Sequence, residues 1–252
     1  NYNIIFKKNY INVTKIYNEK NIYLILNNIF YNKKYQINII FKKICIQKNI
    51  KLKLKQILIQ KKKNIIFYIK FIIYIKQNST IITEFKILSN LLINQINYTQ
   101  IVNLQKKSNL KSLYKLFTKS NTNLYIDANI KKLTNYKLYI VTNLKKTEHH
   151  YKINLIQSDR TSVGQITVNG ILKKLSNINV DVCALIKKNA KKTTTKININ
   201  ILLLHTNVKC NIKPYLKIHN NNIICSHGVI ITNIDKNILY YILTKGFCYK
   251  KA

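Results

Sequence analysis

Residues 225–228 read Cys-Ser-His-Gly, and this tetrapeptide offers the most chemistry in the chain. Side chains on a strand alternate between faces, so Cys225 and His227 project to the same side. A thiolate is a soft metal ligand and an imidazole a borderline one, and both occur in iron–sulfur ligation. Both residues also have structural uses, Cys225 as a small buried hydrophobe and His227 as a satisfied turn residue. The other cysteines, at 45, 183, 210 and 248, show no CxxC spacing, which argues against a zinc ribbon or a disulfide framework. Cys183 and Cys210 lie on or beside strand-like segments and are expected to face inward, while Cys45 and Cys248 have no context. His149 and His150 follow Glu148 and precede a strand, where a solvated loop is expected. Paired carboxylates, a Ser/His/Asp arrangement, a P-loop and GxGxxG are all missing from the sequence. The chain is therefore expected not to be an enzyme, and any ATP hydrolysis must come from a partner.

Strands must position these residues. Residues 177–182 alternate Asn-Ile-Asn-Val-Asp-Val and residues 196–201 alternate Lys-Ile-Asn-Ile-Asn-Ile, which predicts one buried and one wet face. Similar segments recur at 136–141, 151–156, 164–172, 181–186, 197–204, 215–218 and 223–231. With no helical pattern between them, they suit a sandwich, a barrel or a parallel β-helix. Near the end, Asp235 is a plausible N-cap, and Ile238, Leu239, Ile242 and Leu243 fall at helical spacing before Gly246. Up to about residue 120 strand propensity is high, but there is no Gly or Pro to mark turns; Asn and Lys must take those places. Residues 65–75 are about half of the ~20 needed to span a bilayer and carry Lys70 at their centre, so a buried or edge strand is expected.

The 252 residues are 47% hydrophobic, enough for a globular core, and carry a formal charge of +37. Nearly all of that charge is lysine, since Arg160 is the sole arginine. Asn, Ile, Lys and Tyr are the residues of A- and T-rich codons, so a biased genome produces this composition whatever the function. A basic ribosomal or RNA-binding protein of such a genome is the alternative class, held by phosphate neutralisation. That class favours arginine and clustered charge; here the lysines are spread along the chain, and a nucleic-acid partner is not expected. Starting at Asn1 with no methionine, the sequence is expected to be a fragment or conceptual translation, and it opens with no cleavable signal.

From Val182 onward the order of motifs resembles a known family. Val-Cys-Ala-Leu-Ile at 182–186 is followed by Asn-Ile-Leu-Leu-Leu at 200–204, Lys-Pro-Tyr-Leu-Lys-Ile at 213–218 and Cys-Ser-His-Gly at 225–228. Leu-Tyr-Tyr-Ile-Leu-Thr-Lys-Gly at 239–246 completes the series. This succession is similar to the core of the SufB/SufD scaffold proteins of iron–sulfur cluster assembly. Upstream, His149, His150, Thr161, Ser162, Gln165 and residues 170–172 also look like family positions, and before Asp127 no alignment is evident.

The resemblance implies an all-β, right-handed parallel β-helix with a short C-terminal helix. The β-helix core would span 1–233, with 1–120 divergent and 127–233 SufBD-like, and 234–252 would begin a helical region. It also implies a scaffold subunit in a plastid of apicoplast-like type, paired with a second SufB/SufD-type subunit and docking a SufC-type ATPase through helices expected after Ala252. Neither a membrane nor a tightly bound cofactor is implied; a transient iron–sulfur cluster would be met at Cys225 and His227, the candidate cluster and iron ligands. The SufB cysteine before the leucine run corresponds to Ile199, and the Glu-His-Glu of SufB is replaced by Ser226-His227-Gly228, the SufD-like form. Lys245 stands where the family has arginine.

Overall fold

The computed structural model describes residues 14–16, 22–29, 36–46, 48–49, 51–60, 65–89, 95–233 and 236–246. Within them the chain runs β1 (Thr14–Ile16), β2 (Ile22–Ile29), β3 (Gln36–Ile46), β4 (Lys51–Gln60), β5 (Ile65–Ile75), β6 (Thr80–Ser89), β7 (Gln95–Leu104) and β8 (Asn109–Thr118). It continues through β9 (Asn121–Ile130), β10 (Asn135–Leu144), β11 (Glu148–Gln157), β12 (Val163–Leu172), β13 (Asn177–Ile186), β14 (Thr193–Leu203), β15 (Lys209–Ile218) and β16 (Ile223–Asn233) to α1 (Lys236–Thr244). Asp235, the expected N-cap of α1, lies outside the described residues. Odd strands form one sheet and even strands the other, in sequence order and always parallel. Each coil contributes one strand to each sheet, so the fold is a two-sheet parallel β-helix, as the resemblance implied. Hydrogen-bonded side chains in neighbouring coils, such as Thr83 with Ser112 or Asn154 with Tyr125, are 29 residues apart. No coil could hide its apolar face alone; stacking makes the core continuous.

The alternating pattern sets the two faces. In β13, Ile178, Val180, Val182, Ala184 and Ile186 are buried while Asn177, Asn179, Asp181 and Cys183 point outward. In β14, Ile197, Ile199 and Ile201 fill the interior. Residues 65–75 form β5, an inner strand between β3 and β7, with Ile69, Phe71, Ile73 and Ile75 buried and Lys70 exposed. Among the described residues no helix is long and apolar enough to cross a membrane. Phe71, Phe85, Tyr98 and Tyr114 form an aromatic cluster inside the early coils, with centroids 4.4–5.9 Å apart. Its two buried tyrosine hydroxyls are not left unpaired: Tyr114 donates to Gln100, and its hydroxyl lies 3.5 Å from that of Tyr98.

The corners follow a rule that Gly and Pro would not reveal. Seven of the eight described non-glycine residues with positive φ (Asn78, Lys107, Leu133, Lys146, Thr161, Leu175 and Lys192) are followed by a buried Ser or Thr; the eighth, Asn49, precedes Ile50. That hydroxyl commonly turns back to a carbonyl three residues earlier: Ser108 to Gln105, Thr134 to Lys131, Ser162 to Asp159, Ser176 to Lys173 and Thr193 to Ala190. The left-handed residue's own N–H bonds to the next coil, as from Lys107 to the Lys132 carbonyl at 3.1 Å. Tertiary pairing thus holds lysine and leucine in a conformation they seldom adopt.

Gly164 and Gly170 have a different cause. A Cβ would collide with Leu155 Cδ2 in the first case and lie 2.7 Å from Ile201 Cδ1 in the second, so both are fixed by interior packing. Gly246, at φ +86, closes α1 with its N–H bonded to the Leu243 carbonyl.

Candidate functional site

The last coil, β15 and β16, presents the candidate residues. Cys225 pairs with Thr195, His227 with Ile197, Val229 with Ile199 and Ile231 with Ile201. All four partners in β14 are buried and inward-facing, so Cys225 and His227 share the inner face of β16, as alternation predicts. Because β15 and β16 are the last strands of their sheets, this face has no further described coil upon it. Cys225 is half-buried and His227 exposed, and Val229 and Ile231 keep 38% and 47% of their surface. Across the coil, Cys210, Ile212 and Leu216 of β15 are partly buried and pack on the core.

Burial raises the Cys225 thiol above its ordinary pKa, and hydrogen bonding with the Thr195 side chain and backbone pulls it partly back. At neutral pH the group is a thiol that must lose its proton to ligate a metal. Thr195 itself bonds to Gln157, so the cysteine rests on a polar chain reaching into the core. Sequence reasoning missed Thr195, because its link to Cys225 runs between coils. The glycine of Cys-Ser-His-Gly, Gly228, has open space around it: a Cβ there would meet nothing nearer than Asn198 Oδ1, at 3.9 Å. Packing does not demand it.

Among the described residues no three His, Cys, Asp or Glu side chains come together to hold a metal. Cys225 and His227 are thus a pair on one face and could hold iron or a cluster only with ligands from elsewhere. Cys210 faces inward as expected, its thiol pushed up to about 11 by desolvation. Cys183 does not: it points outward from β13, between Asn154 and Tyr215. The alternation that buries Val182 and Ala184 forces Cys183 to the other face. Cys45 is half-exposed on β3, and Cys248 lies outside the described residues.

His149 and His150 lie within β11, not on a loop. His149 is fully buried, with Nδ1 2.7 Å from the Tyr151 hydroxyl and Nε2 3.5 Å from Thr118 Oγ1. Desolvation holds it neutral, with a pKa of about 3. His150 faces out, bonded to Asn179 and 3.3 Å from Glu148. Neither histidine approaches Cys225 in the strand register. Ile199 is wholly buried and paired with Val168 and Val229, and Pro214 is an inward-facing residue of β15.

The fold places the chain in the class of two-sheet parallel β-solenoids. The sequence matches the family described as "SUF system FeS cluster assembly, SufBD core domain" over residues 73–252, and the chain belongs to that family. Its role therefore lies in iron–sulfur cluster assembly. The match starts at residue 73, inside β5, so family character reaches upstream of Asp127, where the motifs alone stop. A search of curated proteins returned no match.

Proposed function

We propose that the chain is a non-enzymatic scaffold subunit of a SUF-type assembly complex, working with a SufC-type ATPase and a paired SufB/SufD-type subunit. One observation carries this reading: Cys225 and His227 share the inner face of the final coil, where nothing in the described structure covers them. A pair of soft and borderline ligands on an open sheet face is suited to share cargo with a second subunit. The cluster is a substrate passing through, held while the paired subunit completes its ligand set. The apolar Val229 and Ile231 beside the pair supply contact area for that subunit.

A SufD-like part in the pair is favoured over a SufB-like one. Ile199 offers no sulfur at the position of the SufB cysteine and is sealed in the core. ATP hydrolysis belongs to the partner, since the chain has no phosphate-binding motif. The A/T-driven composition supports a plastid-type organelle as its setting.

Co-purification tests the partnership. The chain, tagged and co-expressed with a SufC-type ATPase and a SufB-type subunit, should elute with both in one complex of fixed stoichiometry. Recovery of the folded chain alone under those conditions would refute the scaffold reading.

A further inference from the structure

The corners leading from the odd-strand sheet into the even-strand sheet repeat a charge. N–H groups of Asn78, Lys107, Leu133 and Thr161 bond to the carbonyls of Lys106, Lys132, Arg160 and Lys191 in the following coils, at 3.4, 3.1, 3.3 and 2.8 Å. These bonds place Lys106, Lys132, Arg160 and Lys191 in single file, one per coil, at steps of about 4.8 Å. Lys107, Lys131, Lys187 and Lys192 flank the file and are exposed. The cations press on one another: the Lys132 ammonium is driven down by Arg160 first, then by burial, Lys106 and Lys107, with Asp159 acting against them.

The opposite corners, from even to odd strands, also carry exposed lysines, Lys119, Lys145, Lys146 and Lys174, whereas the sheet faces differ. Between β7 and β13 the outer face of the odd-strand sheet carries Asp127, Glu148 and Asp181 and one lysine, Lys152. The outer face of the even-strand sheet spaces Lys111, Lys137 and Lys196 in one column, broken by Gln165. The file runs through four successive coils, whereas among the described residues the opposite corners show one such bond, from the Lys146 N–H to the Lys174 carbonyl.

We propose that this edge docks an acidic α-helix of a partner protein. One face of a helix repeats every turn, about 5.4 Å, against a coil step of about 4.8 Å. Over four coils the mismatch grows to about 2 Å, which flexible lysine stems absorb. Carboxylates arriving at that spacing would relieve the repulsion along the file. A nucleic-acid strand fits less well. Its phosphates advance about 3.4 Å per residue along the duplex axis, and the corner residues include no aromatic side chain on which a base could stack. Three of the four cations are lysines, which act as point charges without the bidentate fork.

The test compares two quadruple variants that lose the same charge. One is Lys106→Gln, Lys132→Gln, Arg160→Gln and Lys191→Gln; the other is Lys111→Gln, Lys137→Gln, Lys152→Gln and Lys196→Gln. Each is titrated at physiological ionic strength with a helical peptide bearing glutamates along one face, with a peptide of equal composition whose glutamates surround the helix, and with a single-stranded DNA oligonucleotide of equal charge. The corner variant should lose affinity for the one-faced peptide by about tenfold or more, the control variant by less than about threefold. The scrambled peptide should bind the native chain more weakly. Equal loss in both variants, equal binding of both peptides, or an oligonucleotide that binds tighter than the peptide through the corner file would each overturn the proposal. If the quadruple corner variant does not fold by circular dichroism, Lys106→Gln and Lys132→Gln singly should each lose about twofold, and no change in either would overturn it.

Discussion

Cys225 and His149 show how differently two titratable groups of one solenoid are used. Cys225 stands at the open end with its thiol raised by burial and eased by Thr195; His149 is sealed in the core and kept neutral. The His149 shift has a consequence for stability. Its folded pKa is depressed to about 3, whereas an unfolded histidine titrates near ~6.5. Between those values the unfolded chain binds a proton that the native chain refuses, so stability falls as pH falls through that window. The slope from this one group approaches about 1.4 kcal/mol per pH unit in the middle of the window. In urea unfolding followed across the window, His149→Gln should be less stable at neutral pH but show a flatter decline on acidification. A variant whose decline stays as steep as that of the native chain would contradict this account. The Cys-x-His pair could be read from the sequence because strand alternation alone puts the two side chains on one face. The burial of His149 could not, since its surroundings come from other coils: Thr118 of β8 lies beside it, and Tyr151, its neighbour on β11, is itself bonded to Thr142 of β10.

Among the elements, the strands were legible and the corners were not. Alternation such as Asn-Ile-Asn-Val-Asp-Val determines which side of β13 is buried, and the structure follows it residue for residue. It also determines that Cys183 faces out, a consequence overridden by the general tendency of cysteine to be buried. Turns went unread because Gly and Pro were the expected markers, whereas these corners use a left-handed Asn, Lys, Leu or Thr followed by a buried hydroxyl. Only the stacking of one coil on the next makes that conformation worthwhile, so single-residue propensity carries no sign of it. The Thr134 hydroxyl donates to the Lys131 carbonyl at 2.7 Å and is 2% exposed as a residue. Thr134→Val keeps its shape but loses this bond, and should cost about 1–2 kcal/mol. Denaturant unfolding measures it directly; an unchanged midpoint would mean that the corner hydroxyls are incidental.

At the scale of the whole molecule, each described strand pairs in parallel with the strand of the next coil, up to β15 and β16, the last described strands of their sheets. The fold follows from the ordered motifs because the motifs between 182 and 228 fall on the successive strands β13 to β16 and the last, at 239–246, on α1. No further described coil covers the face bearing Cys225 and His227, and a pair of ligands with no third among the described residues is chemically incomplete. We propose that this face handles a cluster jointly with a second scaffold. Anaerobic reconstitution with iron and sulfide tests it most directly, using the chain assembled with a SufB-type subunit and a SufC-type ATPase and following visible charge-transfer absorbance. The complex carrying Cys225→Ala and His227→Ala together should lose most of the cluster signal, while Cys210→Ala, which alters a core-facing thiol of the same coil, should retain it. A double variant that builds its cluster as fully as the native complex would contradict the account.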